Sequence, residues 1–166
     1  MAKRLYLMRH AKSSWKEALP DHERPLNRRG KRAAKLIGKT LKERKIFPDS
    51  LLVSDAKRAR ATAKKVLKAL GEEHRIPPTF LPALYEADAE GILEIVRSGG
   101  GASRRVLLIG HNPAISDAAV LLSGDPRFKW LPTGAVVGLE FPIEEWRDLE
   151  EGSGRVILAL TPRELE

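Results

Sequence analysis

The chain has 166 residues and a 42% hydrophobic content, enough for one globular domain over residues 1–166 with a core of its own, and unlike a disordered segment. It holds no cysteine, which excludes disulfides, thiolate metal sites and a cysteine nucleophile. The net charge of +8 suits an acidic substrate. The three Trp, two Tyr and four Phe are too few for a base-stacking platform, so nucleic acid is not expected as a partner.

Lys3–Met8 reads as a short apolar strand, too short for a signal-peptide core. Ala11–Arg24 is polar and irregular, broken by Pro20 and followed by Pro25. Asn27 is placed to cap a helix from Arg28 to about Lys45, with Ala33, Ile37 and Leu41 as its buried stripe. Ser50–Ser54 is a second strand. Lys57–Leu70 is a helix that turns Ala59, Ala63, Val66, Leu67 and Leu70 inward and stops at Gly71. Thr79–Leu81 is a short strand and Ala89–Arg97 a short helix, followed by a loop at Gly99-Gly100-Gly101. Arg105–Ile109 is the strongest strand signal. Pro113–Leu122 is a helix with Asn112 as its cap, and strands over Ala135–Phe141 and Arg155–Leu160 close the chain as an antiparallel pair near an edge. No apolar run reaches the roughly 18 residues of a membrane span, so a cytoplasmic protein without a membrane partner is expected.

Strands alternating with helices predict an α/β three-layer sandwich: a mostly parallel central sheet with helices on both faces. Ligands of such sheets bind beyond the carboxyl ends of the strands. Three strand ends carry reactive residues: Arg9-His10, Ser54-Asp55 with Arg58 just beyond, and Gly110-His111-Asn112-Pro113. Arg58 falls in the first turn of a helix, where a cation opposes the helix dipole. A bound anion would reverse that penalty. An arginine-rich pocket suits a phosphoryl group and repels a divalent metal. Metal-ligand spacing is missing, no phosphate-binding GxxxxGK[ST] loop is present, and no cofactor is expected.

In that setting the neutral imidazole of His10 can attack phosphorus and form a covalent phosphohistidine. Arg9 and Arg58 disfavour its protonation, and His111 is placed to stabilise charge on the transferring oxygens. Asp55 either tunes Arg58 or caps its helix. His22 and His74 lie in charged, loop-like contexts and are read as structural.

Leu7-Met8-Arg9-His10-Ala11-Lys12-Ser13-Ser14-Trp15, Arg24-Pro25-Leu26-Asn27-Arg28-Arg29-Gly30, Val53 to Ala63 around Arg58, and Gly110-His111-Asn112-Pro113 follow one another in an order and spacing that resembles the histidine phosphatase superfamily. Its fold is phosphoglycerate-mutase-like, and the nearest likeness is to the short SixA-type phosphohistidine phosphatases. Ala11, Asp55 and Ala61 depart from the usual Gly, Pro and Gln. The resemblance implies His10 as phospho-acceptor, with Arg9, Arg58, His111 and Arg24 around the phosphate and Glu86 as candidate general acid. It implies a metal-independent phosphatase acting on a phosphorylated protein (phosphohistidine) or a small phosphate ester. The short chain leaves little for a lid, which favours hydrolysis of an exposed phosphate. Two alternatives stay open: a small-molecule phosphomonoesterase acting on a sugar phosphate or nucleotide, and a basic phospholigand- or nucleic-acid-binding module without catalysis.

Overall fold

The computed structural model describes residues 2–73 and 75–166, so His74 lies outside the described residues. Six strands form: β1 (Lys3–Arg9), β2 (Ser50–Ser54), β3 (Thr79–Leu81), β4 (Arg105–Gly110), β5 (Val136–Phe141) and β6 (Arg155–Leu160). The helices are α1 (Arg28–Glu43), α2 (Lys57–Leu70), α3 (Ala89–Gly99), α4 (Ala114–Ser123) and the short α5 (Pro162–Leu165). The strands lie in one sheet in the order β3-β2-β4-β1-β5-β6. Pairings β2–β3, β2–β4 and β1–β4 are parallel, whereas β5 runs antiparallel to both β1 and β6. The sheet is therefore mostly parallel, with the expected antiparallel pair at one edge.

The central strands are apolar without interruption because both their faces are covered. Leu5 and Leu7 of β1 and Val106 and Leu108 of β4 pack with α3 and α4. Tyr6 and Met8, with Leu107 and Ile109, pack against α1 and α2 on the other face. Each such burial contributes about 1.5–3 kcal/mol. Among the described residues no helix is long and apolar enough to cross a membrane.

Three local features set the strand ends. The Asn27 side chain caps α1 by accepting from the Gly30 amide at 2.8 Å. A Cβ at Gly30 would lie 2.0 Å from the Lys12 carbonyl oxygen. Only glycine lets α1 start directly against the chain leaving β1. The buried stripe of α1 runs through Gly30, Ala34, Ile37 and Leu41. The expected Ala33 is only half-buried, because a spacing of four at every step drifts off a face that repeats every 3.6 residues.

At the start of α4 the cap position is Pro113, not Asn112, and the helix proper begins at Ala114. Asn112 still ties this end down, since its Oδ1 accepts from the Ser116 amide and hydroxyl and its Nδ2 donates to the Leu131 carbonyl. Asp55 does not cap α2. Ala56 holds that position without a side-chain bond, and the Asp55 carboxylate turns to His22 instead, 2.9 Å from its Nε2.

Candidate active site

β1, β2 and β4 run the same way, so Arg9, Ser54 and Gly110 end on one edge of the sheet. The backbone pins His10 there. Its amide donates to the Gly110 carbonyl and its carbonyl accepts from the Gly134 amide, each at 3.0 Å. Thr62, buried within α2, links the next residue to Arg58: its hydroxyl donates to the Arg58 carbonyl at 2.7 Å and accepts from the Ala11 amide at 3.0 Å. This bridge fixes the first turn of α2 relative to His10.

His10 is 6% exposed. Its Nδ1 lies 2.8 Å from the Ala11 carbonyl, which can only accept, so Nδ1 carries the proton and donates. The Nε2 lone pair is thereby left facing the pocket, 3.4 Å from Nε of Arg58. The His10 pKa is lowered to about 4, first by burial and then by the charges of Arg58, Arg9 and Arg24, against the opposing pull of the Ala11 carbonyl.

His111 stands with its ring centroid 5.0 Å from that of His10. Its Nε2 is 2.7 Å from the Ser54 hydroxyl and its Nδ1 is 3.4 Å from Arg58 Nη2. Because Arg58 can only donate, Nδ1 accepts and Nε2 carries the proton toward Ser54. Its pKa falls to about 3 through burial, then through His10 and Arg58. Both rings are neutral at pH 7.

Arg58, Arg9 and Arg24 all lie close enough for their charges to act on His10. Arg58 is buried, Arg24 has only 7% of its side chain exposed, and Arg9 has its Nη1 on the Leu131 carbonyl at 3.0 Å. Arg9 Nε is buried and finds no hydrogen-bond partner among the described residues. Such an orphaned donor costs about 1–3 kcal/mol, more when charged.

The centre of the cluster is a residue that sequence reasoning missed. Asp21 sits in a single 3-10 turn over Asp21–Glu23. Its carboxylate accepts from Arg24 Nε at 3.1 Å, Arg58 Nη2 at 3.0 Å and the Tyr85 hydroxyl at 2.5 Å. Its carbonyl takes Arg58 Nη1 at 2.6 Å. The Tyr85 hydroxyl, then Arg58 and Arg24, hold its acid form well below the usual carboxylate range. Two guanidinium groups thus share one carboxylate, and with Arg9 as a third cation around His10 the site stays cationic. The available signal was the Asp21-x-x-Arg24 spacing ahead of Pro25, in a stretch with no periodicity to give it weight.

Tyr85 was likewise missed. Its ring meets His111 and His22 edge-on, with centroids 5.4 and 4.9 Å apart. Glu86, its neighbour in the chain, is exposed, and the cluster's hydrogen bonds run through Tyr85 instead. His22 is part-exposed and paired with Asp55 at the rim. Among the described residues no group of three or more His, Asp or Glu could hold a metal ion.

The comparisons with known proteins bear on the fold and the family. An uncharacterised protein of Mycobacterium tuberculosis is 30% identical over 165 residues, covering 94% of this chain and 100% of its own. The solved structure of a protein from Nakamurella multipartita, provisionally named phosphohistidine phosphatase SixA, superposes with a TM-score of 0.84 at 28% identity, covering 98% of this chain and 97% of that one. A protein of the same provisional name from Agrobacterium tumefaciens gives a TM-score of 0.82 at 26% identity, covering 96% and 98%. The fold is thus the phosphoglycerate-mutase-like α/β fold that the sequence suggested. A model of the histidine phosphatase superfamily, branch 1, matches residues 5–98, from within β1 into α3, and the chain belongs to that superfamily.

Proposed function

We propose that this chain is a metal-independent phosphatase that moves a phosphoryl group first onto Nε2 of His10 and then to water, with protein phosphohistidine as its substrate. The observation that carries the reading is the His10 tautomer: the 2.8 Å bond from Nδ1 to the Ala11 carbonyl leaves a neutral, recessed Nε2 lone pair beside Arg58.

In the first step Nε2 attacks phosphorus, a P–N bond to His10 forms, and the P–N bond to the substrate imidazole breaks. The departing imidazole takes its proton from solvent. In the second step water attacks phosphorus, the bond to His10 breaks, and inorganic phosphate leaves. Arg9, Arg58 and Arg24 hold the phosphoryl oxygens. A phosphoryl dianion favours protonation of the facing Nδ1 of His111, so His111 becomes a donor when substrate arrives. Asp21 positions the Arg58 fork by taking its outer edge.

An imidazole leaving group needs no strong acid, which fits a cluster whose one central carboxylate is locked in its ionised form. Glu86 keeps a narrower role, as proton donor to poorer ester leaving groups. The names of the similar SixA structures support phosphohistidine over a small ester. The test is brief incubation with labelled substrate and an alkaline quench. The unmodified enzyme retains acid-labile, alkali-stable label and His10→Ala does not; equal labelling of both removes His10 as the acceptor.

A further inference from the structure

Two of the chain's three tryptophans are left in solvent. Trp15 is 76% exposed and Trp130 is 62% exposed, whereas Trp146 is buried, with its Nε1 donating to the Ser103 carbonyl at 2.7 Å. A single exposed aromatic is ordinary. These two differ in what they touch. The Arg24 guanidinium carbon lies 3.3 Å from the Trp15 ring centroid, and that of Arg9 lies 5.6 Å from the Trp130 centroid. Residues 115 positions apart in sequence thus place their indoles on the two arginines whose charges, with that of Arg58, reach His10.

The phosphate site is recessed, with His10 at 6% and Arg58 at 5% exposure, while the indoles stand outside it. A small ester would be held by the recessed groups and leave both rings wet. The surroundings are basic. The charged residues of 12–17 and 125–130 are the cations Lys12, Lys16, Arg127 and Lys129 and the anions Glu17 and Asp125, of which Asp125 pairs with Arg127, so cations prevail four to two. Aromatic anchors among charges of mainly one sign are the make-up of a protein interface, with the complementary charge expected on the partner.

We propose that Trp15 and Trp130 form a docking rim for the protein that carries the phosphoryl group, an acidic-surfaced partner that lays apolar side chains on the indoles while its phosphohistidine reaches down to His10. The inference rests on the function proposed above and adds the surface that selects the partner.

The test compares Trp15→Ala, Trp130→Ala and the double variant with the unmodified enzyme on three substrates: a panel of histidine-phosphorylated carrier proteins, phosphoramidate, and a nucleoside monophosphate. Both positions are exposed, so the variants fold, and circular dichroism checks this. Each single variant loses at least about tenfold more kcat/KM on a carrier protein than on phosphoramidate, the loss typical of an interface hot spot. Equal losses on carrier and phosphoramidate would mean that the indoles serve only the arginines, and would overturn the rim. So would unchanged carrier turnover. A loss on the nucleotide as large as on the carrier would assign the indoles to a small planar leaving group instead. If the unmodified enzyme turns over phosphoramidate but no carrier, the proposed substrate fails and the rim with it. Carrier turnover that survives both substitutions sinks the rim alone.

Discussion

Acid is the sharpest probe of the nucleophile. Nε2 of His10 attacks only when unprotonated, and its pKa is lowered from 6.5 to about 4. At pH 5 about nine-tenths of the rings are then neutral, against about 3% for an ordinary imidazole, a difference of about 30-fold in available nucleophile. The phosphorylation rate of His10 is therefore expected to stay within twofold from pH 8 to 5. Stability sets the lower limit of the experiment. The unfolded chain takes up protons near pH 6.5, whereas folded His10 and His111 do so only near 4 and 3. Their effect on stability is nil above pH 6.5 and grows unfavourable as pH falls toward the folded values. By pH 5 each ring forfeits about 2 kcal/mol, or about 4 kcal/mol together. That is tolerable for a domain of ordinary stability at pH 5 and threatening at pH 4. Two readouts check this: imidazole NMR titration, and labelling of His10 by phosphoramidate quenched in alkali, with circular dichroism at each pH. An inflection of the His10 signal near 6.5, or a 30-fold fall in labelling by pH 5 with the fold intact, would refute the argument that burial and the arginines hold the ring neutral.

Other substitutions test the remaining roles. Arg58→Ala loses at least ~10²-fold in kcat/KM, the scale of losing a key transition-state donor; a loss under about threefold would remove it from the site. Asp21→Asn keeps the size of the side chain but replaces a carboxylate acceptor, lowering kcat by about tenfold with little change in KM, the scale of one charge-assisted hydrogen bond. An unchanged kcat would mean that the Asp21 carbonyl alone orients Arg58. Glu86→Gln slows hydrolysis of phosphate esters and leaves phosphoramidate turnover intact; equal rates on both would retire Glu86 as a proton donor.

Much of the scaffold was legible along the chain because its causes are local or periodic. The runs Leu5–Met8 and Val106–Ile109 announce strands buried on both faces, and their ends deliver Arg9, His10 and His111 to one edge of the sheet. Asn27 caps its helix through a contact three residues away, and Gly71 ends α2 at φ 77°. Arg58 was readable as a cation misplaced at a helix start.

What tertiary structure alone decided lies in the irregular segments, which have no period to read. Asp21 meets Arg58 across 37 positions and Tyr85 across 64, contacts set by how the 11–24 segment folds over the sheet edge. Glu86 and Tyr85 are neighbours in sequence, yet it is the tyrosine hydroxyl that bonds into the cluster, at Asp21. Asp55 could cap a helix or pair elsewhere, and only the position of His22 settles which. The His10 tautomer depends on the direction of a single carbonyl, and the tryptophan rim on two loops brought to the same pair of arginines. Chain order and composition determine which residues can do chemistry here, but the direction each side chain faces is decided by packing between segments far apart in the chain.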